Sequence, residues 1–304
     1  MNNMLIPFFA AVTNNIITAL GLNALRSNTT GSNNSAVGVN ALYANTTGSS
    51  NSAVGVSTLL NNTTGSLNSA VGVSTLQANT TGSWNSAVGV NALHANTTGS
   101  SNSAVGVNAL HANTTGTSNS AVGVNTLLNN TTGSNNSAVG VNTLLNNTTG
   151  TSNSAVGANA LHVNTTGSNN SAIGFNAGRF IADGVTSNIT PSSSSFIGTN
   201  TRALADAQTN QIVIGNDAIG SGSNSVTLGN AAIVTTVLRA NVGIGTTVPS
   251  APLDVNGNTI RVRTARTPTS TTAPGNVGDI CWDANFVYVC IATNTWRRSA
   301  LTAW

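Results

Sequence analysis

The chain has 304 residues, and charged residues make up only 5% of it, where about a quarter is usual in globular domains. Its formal net charge is +3, every basic residue is Arg, every acidic one is Asp, and no charged residue lies between Arg26 and Arg179. Such a surface excludes Coulomb steering of nucleic acid or anionic lipid, and no stretch approaches the roughly 18 apolar residues of a membrane-spanning helix.

Residues 1–16 hold a short apolar run, Leu5 to Val12, with no positive segment before it and Pro7 inside it. A cleaved signal peptide is not expected from that pattern, and the segment reads as an attachment or cap region. Residues 17–178 then repeat one phrase, as in NTTGSNNSAVGVNALYA at 28–44, with glycines at 31, 48, 65 and onward and again at 38, 55, 72 and onward, always seventeen apart. A fixed short period marks a solenoid, in which each repeat stacks on the last. The expected fold class is therefore all-β, a solenoid of seventeen-residue rungs forming a shaft.

Columns of the repeat can be read as environments. Val37 and Val39 lie two apart, so as strand residues they share a face, expected to be the core, while Ala36 and Gly38 face the other way. A column of nothing but Gly beside one of nothing but Ala points to the close approach of another backbone. Leu42 opens a third apolar column, unbroken to Leu161. Asn34 heads a column of Asn which, stacked about 4.8 Å apart, can form a hydrogen-bonded ladder. Asn28-Thr29-Thr30-Gly31 reads as a turn, with Gly31 free to take positive φ; the same chemistry explains the Asn-Thr-Thr sequons. Three apolar columns are little burial for seventeen ordered residues, so neighbouring copies in cyclic symmetry, a homotrimer, are expected to complete the core.

Two columns vary. His94, His111 and His162 share one with Tyr43, Leu60 and Gln77, and its variability reads as exposure; no third or fourth ligand accompanies the histidines, so no metal is expected. Leu67 and Trp84 stand in the other among Ser and Asn. Trp84, Leu67, Tyr43, His94 and His111 are candidate surface-binding residues, since an aromatic ring amid hydroxyls and amides can stack on a sugar or a partner.

From 179 to 248 the rhythm loosens: FIGTN, IVIGN and SVTLGN keep the apolar core of the phrase without its NTTG turn. Residues 249–277, rich in Thr and Pro, read as a linker. Residues 278–304 alternate apolar residues and read as a β-hairpin about Asp283-Ala284-Asn285 plus a further strand, too small for a stable core alone. Trp282, Tyr288, Trp296 and Trp304 read either as a small aromatic core or, in part, as an outward-facing tip; Trp282, Tyr288 and Trp296 join the candidate binding residues on the second reading. Cys281 and Cys290 are too few for a disulfide framework. Arg261, Arg263, Arg266, Arg297 and Arg298 read as solvated or paired with Asp across chains.

Catalysis finds little support. There is no Glu, and the six Asp lie outside the repeats; Asp279 and Asp283 could be neighbours, but paired carboxylates for glycoside hydrolysis need a cleft. No cofactor is expected, and Gly243-x-Gly245 is a structural fragment rather than a phosphate loop, since no helix signal follows.

The NSAVG and SVTLGN phrases resemble the head repeats of trimeric autotransporter adhesins. The NTTG…NSAVG…NAL version, with NVGIGTTVPSAPLDVNG after it, is similar to segments of phage tail-fibre proteins, and the last 27 residues resemble the C-terminal segment of cyanophage-type virion proteins. The resemblance implies a trimeric left-handed β-roll serving as a fibre shaft. It implies other virion proteins as partners at the N-terminus, and a host-surface glycan or protein at the tip. The coiled-coil stalk and membrane-anchoring barrel of the adhesins, and the self-cleaving chaperone of many fibres, have no counterpart in these residues. A virion tail fibre is thus the expected function, ahead of a head fibre, a purely structural filament or a bacterial surface adhesin. An ice-binding solenoid is disfavoured because Thr29 and Thr30 are adjacent and point apart.

Overall fold

The computed structural model describes residues 17–302 apart from positions 234, 239, 240, 258 and 262; the attachment segment 1–16 and Trp304 lie outside the described residues. The chain divides after Val234 into two units, and among the described residues there is no helix.

In the first unit thirteen strands form one parallel sheet in strict chain order, from Thr18–Leu20 to Ser225–Leu228. Through the repeats each residue pairs with the one seventeen positions on: Ser52 with Ser69, Ala53 with Ala70, Val54 with Val71, Gly55 with Gly72. The rest of the coil is laddered too. Leu42 N–H donates to Thr58 O at 3.0 Å, Thr46 N–H to Thr63 O at 2.9 Å, and Leu67 N–H to Ser49 O at 3.0 Å. A uniform coil can satisfy its backbone this way only if every rung has the same shape, which is the physical content of the strict period. The unit is a β-solenoid.

Corners are cut by left-handed residues that are not glycine. In one rung these are Asn40 (φ 58°), Leu42 (φ 51°) and Ser50 (φ 59°), and their columns repeat the conformation. Gly38 adds φ 134°, and a Cβ there would lie 2.1 Å from Gly55 O. The backbone whose approach excludes a side chain is thus that of the next rung. Gly31 is explained differently from the turn expectation. It is not among the positive-φ residues; a Cβ there would lie 2.3 Å from Gly48 O and 2.6 Å from Asn28 Oδ1, so space and not φ demands glycine.

The interior corrects the reading of the valines. Ala36 and Leu42, with their columns from the second rung on, are buried and belong to the core of the first unit, whereas Val39 is 41% exposed and Val37 half-buried. A seventeen-residue coil is thin, and its cross-section is filled by the Ala36, Leu42, Asn34 and Asn45 columns together with a column of Ala41 and Thr58. The Asn34 column is a buried ladder, as at Asn85, which donates from Nδ2 to Gly99 O (2.9 Å) and to Asn68 Oδ1 (3.2 Å). The Asn28 column, read only as a turn, is a second ladder: Asn45 Nδ2 donates to Asn28 Oδ1 (2.7 Å) and to Gly48 O (2.9 Å). The first ladder thus bonds the rungs on either side and the second a neighbouring rung and its own turn, which is the condition for burying polar groups at low cost; Asn164 Oδ1, in the last regular rung, is left without a partner.

Past the regular shaft the pairing offset grows, with Ser171 opposite Ser195, and later shrinks, with Gln211 opposite Ser225. The interior adapts by exchange of volume. The leucine column ends at Gly178, and Phe196, in the alanine column, fills the space; a Cβ on Gly178 would lie 2.7 Å from the Phe196 ring.

The second unit holds a parallel pair, Val242–Ile244 with Leu253–Val255, and an antiparallel sheet of Ile280–Trp282, Phe286–Ala292 and Thr295–Ala300. The expected hairpin about residues 283–285 and its further strand are both present. The Thr/Pro-rich segment before them packs on the sheet: Trp296 N–H donates to Thr271 O at 2.9 Å and Trp296 Nε1 to Ala273 O at 2.9 Å.

Candidate functional site

Three surfaces gather the residues singled out in the sequence. The largest is the outer face of the solenoid sheet. Because strand side chains alternate, burying Ala36 turns Val37 and Val39 outward. The two columns continue as Val54 and Val56, Val71 and Val73, through to Ile173 and Phe175, each member 40% exposed or more except Val37 and the small Ala158. Together they leave on the order of 1,000 Å² of apolar surface bare, where monomers leave a few hundred. No charge interrupts the stripe between Arg26 and Arg179.

The second surface is the pair of variable columns. Tyr43, Leu60, Gln77, His94, His111 and His162 are half-buried, which corrects the expectation of exposure: identical spacing stacks each ring or chain on its neighbour. The His94 and His111 rings lie 4.9 Å apart and 3° from parallel, and the Arg26 guanidinium sits 5.8 Å from the Tyr43 ring centroid. Burial first, then the His94 charge, pulls the His111 imidazole below its ordinary range; burial, then Arg179, does the same to His162. No group of three or more metal-ligating side chains occurs among the described residues. Trp84 and Leu67, by contrast, are exposed on adjacent rungs, at 64% and 42%.

The third surface is the antiparallel C-terminal sheet. Trp296 and Tyr288, candidates for an outward-facing site, are instead core: 3% and 5% exposed, packed with Ala273, Cys281 and Cys290. The cause is Gly275, which admits the Trp296 ring so closely that a Cβ would lie 2.5 Å from it. Trp282 is half-buried. The opposite face carries exposed Ile280, Val289 and Ile291. Arg266 and Arg298 lie over aromatic rings, Trp296 at 5.3 Å and Phe286 at 4.0 Å, an arrangement that shields an aromatic face while keeping the charge wet. Cys281 and Cys290 are free and buried, and burial raises the Cys281 thiol above its ordinary value, so it stays protonated and unreactive.

Each carboxylate is engaged, by its own turn or by a neighbouring segment. Asp183 accepts from Val185 N–H and Thr186 N–H, Asp206 from Ile189 N–H and Thr190 N–H, and Asp254 from Ser250. Asp217 accepts from Asn200 and Asn216, and Asp279 from Asn276 N–H. Asp283 accepts from the Tyr288 hydroxyl, Thr267 Oγ1, Asn285 N–H and Phe286 N–H. The Tyr288 bond, then the Asn285 amide, hold the Asp283 carboxyl down at about 2.

These shifts set an acid response in two stages. His111 and His162 have folded values below their unfolded ones, so the unfolded chain binds more protons as the pH falls. Their contribution is present above about 6.5 and is lost below it. Asp283 is a depressed carboxylate: its contribution is present above its ordinary 3.8 and is lost as the pH falls toward about 2. Far-ultraviolet dichroism of the shaft should begin to lose stability to urea below about pH 6.5. Near-ultraviolet dichroism of the C-terminal sheet should give way only in the lower window, and Asp283→Asn should weaken that second stage, leaving the share of Asp254, a second carboxylate held low in the same unit. A signal with the same acid profile in Asp283→Asn would disprove the assignment.

No protein-family model matches the chain, and no solved structure matches it. Among curated proteins, a 40-residue stretch is 52% identical to "Depolymerase 1, capsule K30/K69-specific" of Klebsiella phage K5-2. The stretch is 13% of this chain and 5% of that relative.

Proposed function

We propose that the chain is a fibre- or spike-like appendage of a phage virion, a homotrimer that attaches the particle to a host-surface glycan or protein. The single observation that carries the reading is the uncharged stripe of Val37- and Val39-type side chains, bare along the whole shaft. Three copies set stripe to stripe bury it, and the threefold arrangement fits the fibre resemblance of the repeats. The short similarity to a phage depolymerase supports a virion location over a bacterial surface. In this reading residues 1–16 contact other virion proteins, and the bare Ile280, Val289 and Ile291 of the tip meet their copies.

A second reading, a polysaccharide-cleaving spike, is favoured by that same similarity. Against it, the six Asp are each engaged by backbone amides or side chains of their own turn or of a neighbouring segment. Incubating the full chain with capsulated bacteria and with their purified capsule separates the two. Attachment predicts saturable adsorption to cells with no release of reducing ends. Released oligosaccharide would favour the second reading, and a chain that neither adsorbs nor cleaves would remove both.

A further inference from the structure

The geometry points to the corner formed by Trp84 and Leu67 as a lateral binding platform for a surface polysaccharide, placed on the shaft wall. The starting observation is backbone strain at exposed bulky residues. Trp84 has φ 63° and Leu67 φ 60°, in a left-handed region that bulky side chains avoid at a cost of about 1–2 kcal/mol. Elsewhere in the column the position is Asn or Ser, as at Asn33, Ser50, Ser101 and Asn135, and Asn is the residue that best tolerates this conformation. Neither Trp84 nor Leu67 recovers that cost by burial, since both are exposed. Strain retained at an exposed site points to a role outside the fold.

The chemistry of the corner selects the ligand. A flat indole beside an isobutyl group, one rung apart, offers an apolar face, and Ser50 and Ser101 of the flanking rungs supply hydroxyls. No charge is nearby, since none occurs between Arg26 and Arg179. Sugar rings present an apolar C–H face and a rim of hydroxyls, which this surface complements. A protein partner is a poor fit: two side chains fall far short of the roughly 800 Å² per partner of a stable interface. The backbone that carries the platform is fixed, because Trp84 N–H donates to Ser66 O at 3.1 Å and Leu67 N–H to Ser49 O at 3.0 Å, so binding has only the two side chains left to order.

The inference rests on the proposed attachment to a host glycan, and the test separates the two. The full chain is passed over an array of bacterial capsular and lipopolysaccharide-derived glycans. The wild type should bind at least one of them. Trp84→Asn should weaken that binding by at least about tenfold and Trp84→Tyr, which keeps a ring, by about threefold or less. Trp84→Asn should also raise the melting temperature, which excludes unfolding as the cause of lost binding. A wild type that binds no glycan overturns both the platform and glycan attachment. A wild type that binds while Trp84→Asn binds equally overturns the platform alone. So does a Trp84→Asn chain that loses its oligomeric mass, since Trp84 would then be a subunit contact.

Discussion

Gly72→Ala should break the shaft at the rung that carries it. A Cβ at Gly72 would lie 1.8 Å from Gly89 O, a backbone atom of the next rung, and the residue holds φ 130°. Neither the overlap nor the dihedral can relax without separating two rungs. Each effect alone is worth on the order of 1–3 kcal/mol; together they should cost more than about 3 kcal/mol. A solenoid is stabilised rung against rung, so the damage should be local and legible: protease cleavage clustered near residues 72–89 and a lowered melting temperature. Gly257→Ala is the control, because its Cβ would meet only Val255 Cγ1, at an ordinary 3.7 Å. A Gly72→Ala chain as stable as Gly257→Ala would mean that the rungs are not as closely stacked as described.

Paired aspartates on the stripe should have a different effect. Val88 and Val90 are 42% and 41% exposed on the single chain, so Val88→Asp with Val90→Asp should alter the stability of one chain by no more than about 0.5 kcal/mol per site. In a trimer the same change sets six carboxylates against one another in an apolar seam. Each unpaired buried charge costs several kcal/mol, enough to dissociate the assembly. The expected result is a folded, β-rich single chain at neutral pH, seen by dichroism and sedimentation. An oligomer unchanged by both substitutions would place the subunit contact elsewhere.

Much of the architecture could be read from spacing alone. The seventeen-residue period, the parallel rungs, the glycine column forced by a neighbouring backbone, the Asn34 ladder and the C-terminal hairpin all follow from local geometry that each copy repeats. What period-two alternation cannot decide is which of two faces is inside. It separates Ala36 from Val37 but assigns neither to the core. The deciding signal is constancy of volume. The Ala36 column stays Ala through Ala172, whereas the Val39 column passes from Val to Ala158 and Phe175. A thin, close-packed interior accepts such a change only where another column gives up the volume, as Gly178 does for Phe196; an outer face needs no such exchange. The Asn28 column was hidden for another reason, since Asn in a turn already has a sufficient local explanation. Left-handed leucines such as Leu42 leave no mark in composition at all, because the preference they violate is overridden by burial.

The binding candidates divide along the same line. Trp84 was legible because it breaks a polar column. Tyr288 and Trp296 were ambiguous, because an aromatic cluster near a chain terminus looks alike as a core or as a site. Only Gly275, which makes room for the indole, and Asp283, which takes the Tyr288 hydroxyl, resolve them as core.

The mass of the full chain in solution, measured at neutral pH by sedimentation equilibrium, bears most directly on whether the valine stripe is a shared interior. A shaft closed by three copies gives close to three times the 30.3 kDa of one chain. A stable, soluble species of one chain's mass, with its valines facing water, would contradict it.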